Sequence, residues 1–291
     1  MSLSDIQIKN LEEKANQIRT SIIEMLVAAG SGHTAGPLGM ADIFTAMYFH
    51  ILNHDPKNPV WENRDRLILS NGHVVPVRYA TMAHAGYFPV EELKTLRKFG
   101  SRLQGHPERH DLRGLENTSG PLGSGLSQAI GMALGLRMDA DKIGHPKPHV
   151  YCLMSDGELN EGNSWEAIMF AGKHRLNNLT AMIDRNNIQI DGMTEDVMPL
   201  EPLADKWRAF NWHVIEIDGH NFAEIVDAVN QAKAIAEKPT VIIAHTIPGK
   251  GIQEIEGDYK WHGTPPNREQ AEVWLKELRT LGGKIEGGHL D

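Results

Sequence analysis

The chain has 291 residues, 41% of them hydrophobic and 23% charged, a balance that suits a globular protein with a substantial core. Its formal net charge of −9 argues against a nucleic-acid or anionic-membrane surface, and its longest apolar run, MLVAA, is far too short to span a bilayer. The single cysteine, Cys152, excludes an intramolecular disulfide framework and suits a reducing cytosol; MSLSDIQIKN shows no basic-then-apolar leader, so a cytoplasmic location is expected.

The first segment reads as a helix. Ser4 is placed to cap it, Ile8, Leu11, Ala15, Ile18, Ile22 and Leu26 recur at three- and four-residue steps, and Gly30 closes it. A short strand at 66–70 (RLILS) leads into NGH. A glycine-rich belt from 114 to 135 reads as a loop running into a small-residue helix packed tightly against a neighbour. Beyond it the pattern becomes regular, with strands expected at 149–154, 179–184, 212–217 and 240–245 and helices at about 164–176, 202–210 and 221–237. Cys152, inside VYCLM, reads as a small apolar strand residue. Strands alternating with helices predict an α/β fold: a mostly parallel sheet, joined by right-handed crossovers, with helices on both faces. No repeat, low-complexity tract or charged linker divides the chain. A single domain over 1–291 is expected, with a loose polar tail from about residue 281 (LGGKIEGGHLD).

Parallel sheets bind ligands outside the carboxyl ends of their strands. Asp156 follows the strand at 149–154 and Asn186 follows the strand at 179–184, one β-α-β unit apart, so both side chains are expected on one edge. DGHN (218–221) and HTIPGKG (245–251) fall on the same edge. One carboxylate, one amide oxygen and a nearby main-chain carbonyl suit Mg2+ or Ca2+ rather than zinc. So little negative charge suits an ion whose remaining ligands are phosphate oxygens and water. Gly157 would let backbone N–H groups approach those phosphates, helped by the start of the following helix. Asp-Gly and Asn-Asn are each ordinary turn pairs; their combination at this spacing is what reads as a metal-diphosphate site.

SDGELNEGNSWEA followed by DRNN resembles the thiamine diphosphate motif, in which Gly-Asp-Gly is followed by a later Asn. The surrounding chain is similar to the N-terminal, diphosphate-binding domain of transketolase through SGHTAGPLG, SNGH, GHPE, TSGPLGSGLSQAIGMA and WHG, all in the family's order. It departs from the pattern at Ser155 (the first glycine), at Thr34 and Ala35 (for Pro-Gly after His33) and at Ser124 (for Gln). Transketolases are usually much longer chains, and some are divided between two polypeptides; this one looks like the N-terminal subunit of such a split enzyme.

The resemblance implies the following roles. Asp156 and Asn186 would ligate Mg2+ (or Ca2+) by side chain and Ile188 by its main-chain carbonyl. Gly157 would meet the diphosphate, and Gly120 and Leu122 would touch thiamine diphosphate through main-chain atoms. His73 and His262 would flank the diphosphate and reactive carbon, while His33 and His106 would line the sugar channel. Glu161 and Glu166 would count with the cofactor-binding residues and lie near a dimer interface, in communication with the other chain's catalytic glutamate. The implied partner is a C-terminal subunit with the pyrimidine domain and that glutamate, around a homodimer of this chain in a heterotetramer. The implied reaction moves a two-carbon ketol unit from a ketose phosphate to an aldose phosphate. The alternatives are a deoxyxylulose phosphate synthase-like or sulfosugar enzyme, a dehydrogenase component, or a non-catalytic homologue that keeps the fold.

From the residues alone, histidines suit proton shuttling and hydrogen bonding to sugar hydroxyls near neutral pH. His33, His73, His106 and His262 sit beside glycine in expected loops; His213, His220 and His245 read as intermediate, the other histidines as packed or solvated, and none of these is assigned a role. GPLGSG lacks a preceding strand and a third glycine, and PGKG lacks the Ser or Thr of a phosphate loop, so neither reads as a nucleotide motif.

Overall fold

The computed structural model describes residues 3–143 and 148–287. Its strands are β1 (Arg66–Leu69), β2 (Val150–Ser155), β3 (Leu179–Arg185), β4 (Ile188–Gln189), β5 (Gly192–Met193), β6 (His213–Asp218) and β7 (Thr240–His245). Five of them make one sheet in the order β1-β2-β3-β7-β6, and every neighbouring pair is parallel. All five carboxyl ends therefore open on one edge. β4 and β5 form a small antiparallel hairpin beside that edge.

The helices are α1 (Asp5–Ala29), α2 (Ala35–Gly39), α3 (Ala41–Ala46), α4 (Val75–His84), α5 (Ser124–Ile143), α6 (Gly162–His174), α7 (Thr194–Val197), α8 (Leu203–Ala209), α9 (Phe222–Ala234) and α10 (Arg268–Gly287). They cover both faces of the sheet. Side chains alternate across a strand, so Tyr151 and Leu153 enter one core with α1, α3, α4, α9 and α10, while Val150, Cys152 and Met154 enter another with α5, α6 and α8. β2 and β3 are buried along their whole length, as expected of strands covered on both sides. Cys152 is 0% exposed, in keeping with its reading as a small apolar strand residue.

α1 forms as its sequence predicts. Ser4 and Gln7 exchange a capping box, Gly30 ends the helix at φ 66, and Leu11, Ala15, Ile18, Ile22 and Leu26 are its buried stripe. The strands fall within a residue or so of their expected bounds. α3 and α4 have no counterpart in the sequence reading, for a physical reason: all of α3, and Val75–Ala83 of α4, are buried. A helix without a wet face has no polar-apolar period to read. α10 also went unread; it buries Ala271, Trp274 and Leu278 at helical steps, and Asn16 on α1 donates to its Leu278 carbonyl. This helix runs through Gly287, into the stretch expected as a loose tail from 281, and residues 288–291 lie outside the described residues.

The glycine-rich belt is a loop to Gly123 and then α5, as expected, and within α5 it is the first turn that needs the missing side chain. A Cβ on Gly125 would fall 2.4 Å from Ser70 Cβ and Oγ, whereas Gly131 and Gly135 face open space.

Candidate active site

Ser155 and Asp184 are partners in the parallel β2–β3 register, so the residues that follow them, Asp156 and Asn186, leave adjacent strand tips on one edge. Asp156 is 0% exposed and caps the single helical turn Gly157–Asn160. Its Oδ1 accepts the Gly157 N–H at 2.6 Å; its Oδ2 accepts Asn187 N at 2.8 Å and Arg185 Nη1 at 3.0 Å. Burial pushes the Asp156 carboxyl above its usual range, and Arg185 with the two amides opposes that rise.

Asn186 is held by Asp184, whose Oδ2 accepts its Nδ2 at 2.7 Å, while its Oδ1 accepts the Ile188 N–H at 3.0 Å. The amide oxygen is thus oriented by both neighbours. Asp184 also accepts the Thr246 hydroxyl from the end of β7, and burial raises its carboxyl to about 7. Ile188 starts β4, and the hairpin it opens carries Gln189, Ile190 and Asp191 to the rim of a cavity.

That cavity measures ≈ 330 Å3. His33, His73, His106, His262, Gly120, Leu122, Gly157, Asn186 and Ile188 all line it, with Asp156 buried directly behind. His33, His73 and His262 form a triangle with ring centroids 4.8, 5.1 and 5.5 Å apart. Burial, helped by His262, Arg97 and His106, lowers His33 to about 4. Burial also lowers His73 well below the ordinary value, and lowers His262 and His106. These rings are neutral at pH 7, so each carries one donor and one acceptor nitrogen. Nδ1 of His33 and of His262 is buried with no hydrogen-bond partner among the described residues, as expected of groups that meet a bound molecule.

The departures from the family pattern have local structural accounts. Thr34 is 0% exposed and its hydroxyl donates to the Thr264 carbonyl at 2.6 Å, tying the His33 loop to the His262 loop. Ser124 donates to the Pro121 carbonyl, and Ser155 lines the cavity.

Glu161 and Glu166 are not brought to this cavity. Ser164, Ala167, Ile168 and Ala171 take the buried side of α6 and leave both glutamates exposed; Glu166 lies in an apolar groove between α5 and α6. The α6 N-terminus is also held off the cavity, since the turn Gly157–Asn160 intervenes. DGHN and HTIPGKG share the edge but brace the fold: His220 meets Asp42 Oδ2 at 2.7 Å and accepts Ile247 N at 2.8 Å, and Asp42 forms a bidentate pair with Arg19.

Sequence reasoning missed Asp184, Arg185 and Glu158. Asp184 carried a signal, a carboxylate at the end of the continuously apolar run LTAMI. Arg185 and Glu158 carried none, because a charge in a polar turn reads as solvated.

The site chemistry fits a metal-held diphosphate. The carboxylate of Asp156, the amide oxygen of Asn186 and the Ile188 carbonyl make an all-oxygen donor set of low charge, and neutral imidazoles with free nitrogens adjoin it.

Comparison with known proteins gives a consistent picture. The family described as transketolase, thiamine diphosphate binding domain, matches residues 11–281. The chain is 45% identical over 280 residues to the 6-deoxy-6-sulfo-D-fructose transketolase subunit SqwG of a Clostridium species, covering 96% of this chain and 100% of that protein. It is 38% identical to one of the subunits of the apulose-4-phosphate transketolase of Phocaeicola vulgatus, covering 97% of this chain and 98% of that protein. The crystal structure of transketolase from Campylobacter jejuni superposes with a TM-score of 0.87 at 38% identity, covering 96% of this chain but only 43% of that one.

Proposed function

The chain belongs to the transketolase family, and from that premise we propose that it is the diphosphate-binding subunit of a split transketolase that works with Mg2+. The observation that carries the reading is the register of Ser155 with Asp184, which sets buried Asp156 at the strand tip beside that of Asn186, with Asn186 and Ile188 in the cavity lining.

In this reading Asp156 is the anionic ligand of Mg2+, with the Asn186 side chain and the Ile188 carbonyl as neutral ligands. The backbone of Gly157, whose N–H is taken by Asp156 Oδ1, would pass beside the diphosphate, and the main chain at Gly120 and Leu122 would meet the ring portion of the cofactor. Thiamine diphosphate would supply, when bound, a carbanion nucleophile for a ketose carbonyl and an electron sink for carbon–carbon cleavage. His73 and His262 hold hydrogen bonds next to that carbon, and His33 and His106 orient the sugar hydroxyls. Because burial favours the neutral imidazoles, each would present one nitrogen that donates and one that accepts a hydrogen bond, with no net charge in the cavity.

Full sequence coverage of two proteins named as subunits supports a partner chain. That partner supplies the pyrimidine domain and the catalytic glutamate, around a homodimer of this chain within a heterotetramer. The exposed Glu161 and Glu166 belong on the homodimer face. The donor is a ketose with an anionic end group. Phosphate is the ordinary choice, and the 45% identity with a sulfosugar enzyme supports sulfonate as the second.

The test is to assay this chain alone, the lone pyrimidine-domain partner, and both together, with Mg2+ and thiamine diphosphate, on ketose phosphate and 6-sulfo ketose donors. Activity only in the mixture is expected. Full activity of this chain alone would refute the split reading, and no cofactor binding in the mixture would refute the site.

A further inference from the structure

Glu158 is a carboxylate with 0% exposure that lines the cavity, and nothing in the reaction above uses it. Its Oε1 accepts the hydroxyl of Ser70, just beyond β1, and the N–H of Gly123 at 2.6 Å. Its Oε2 accepts the N–H of Ser155 at 3.2 Å. Ser70 Oγ accepts in turn from Gly125 N at 3.0 Å. One side chain thus joins the end of β1, the loop before α5 and the end of β2.

Two glycines make the junction possible. Gly123 has φ +80, and a Cβ on Gly125 would strike Ser70 at 2.4 Å. Among the described residues, Gly123 N to Glu158 is the only hydrogen bond that ties residues 120–123 to the strand tips. Burying a carboxylate among a hydroxyl and two amides, with no cation of the described residues bonded to it, is costly. Burial accordingly lifts its acid to about 7. An apolar side chain of similar volume would fill the space at less cost, so stability does not account for Glu158.

We propose that Glu158 is a positioning residue: it sets the height of the 120–123 loop over the end of β2, and so aims the main chain of Gly120 and Leu122 into the cofactor cavity. The inference rests on the proposed function, because it assigns that loop to thiamine diphosphate.

The test uses the full chain with its pyrimidine-domain partner, as parent, Glu158→Ala, Glu158→Gln and Ser70→Ala. Thiamine diphosphate affinity at saturating Mg2+ is measured by calorimetry, and amide hydrogen exchange is followed across the chain. Glu158→Ala is expected to weaken the cofactor by about tenfold and to speed exchange within 119–125 while β3 and β7 stay protected. Glu158→Gln, which keeps an acceptor for Ser70 and Gly123, is expected to fall between it and the parent. Ser70→Ala is expected to loosen the same segment.

Parent-like affinity and exchange in the Glu158 variants would overturn the proposal. So would faster exchange spread over the whole sheet with cofactor affinity unchanged, the mark of a merely structural residue. If Glu158→Ala does not fold, Glu158→Gln decides by the same criteria. A parent that binds no thiamine diphosphate overturns the proposed function and this inference together, whereas a binding parent matched by its variants overturns this inference alone.

Discussion

Arg185 donates from Nη1 to Oδ2 of Asp156 at 3.0 Å, and its side chain is only 3% exposed. Nη2 reaches the other way, to Glu195 at 2.6 Å and Glu201 at 3.0 Å, both on the segment that follows the β4–β5 hairpin. The anionic group assigned to the metal is therefore already shared with a buried guanidinium that also anchors the neighbouring loop. Arg185→Gln should lower the stability of the metal-free chain by about 3 kcal/mol, since it strands a buried carboxylate. Mg2+ should restore part of that loss, and its thermal shift should exceed the parent's. An equal Mg2+ shift in parent and variant would show that Arg185 and the ion do not compete.

Asp156→Asn keeps an acceptor for Arg185 but removes the only charge of the donor set. Mg2+-dependent binding of thiamine diphosphate should weaken by at least on the order of a hundredfold, more than the loss of an outer-shell partner costs. Calorimetric titration at several Mg2+ concentrations measures this. Unchanged Mg2+ dependence would remove Asp156 from the site.

His33 links the cavity to acid stability. Its folded value of about 4 lies below the unfolded 6.5, so between these limits the unfolded chain binds more protons. Its contribution is constant above pH 6.5, becomes destabilising as pH falls from 6.5 to 4, and levels off below. Burial shifts His73 and His262 in the same direction. Urea midpoints measured across this window should fall less steeply for His33→Gln than for the parent. Parallel curves would place His33 in water rather than in the cavity.

Gly125→Ala tests the seam between α5 and the strand tips. The added methyl would meet Ser70 at 2.4–2.5 Å, and such overpacking typically costs about 1–3 kcal/mol. Gly131→Ala, on the same helix but facing open space, should be neutral or slightly stabilising through helix propensity. Equal melting temperatures for the two variants would contradict this packing.

Asp156 and Asn186 are legible in the sequence because each comes just after a mainly apolar run that reads as a strand, and a parallel sheet sends all its carboxyl ends to one edge. The four histidines are legible from the glycines beside them, which mark the turns and loops that line the cavity. Glu161 and Glu166 illustrate the limit. Their place just after Asp156 in the chain suited contact with the cofactor, yet both are exposed: the core takes Ser164, Ala167, Ile168 and Ala171 of α6, and Glu161 stands before that helix.

Local order along the chain, that is the alternation of strand and helix, the caps of α1 and the ligand types at the strand ends, follows from side-chain period and turn chemistry, which act over a few residues. Three-dimensional packing alone decided that β2 and β3 are neighbours in register, that β7 slots between β3 and β6, and that Ser70, Gly123 and Ser155 converge on Glu158. Such contacts join residues dozens of positions apart, and their energies depend on what is excluded from water once both faces of the sheet are covered. No window of sequence contains that information.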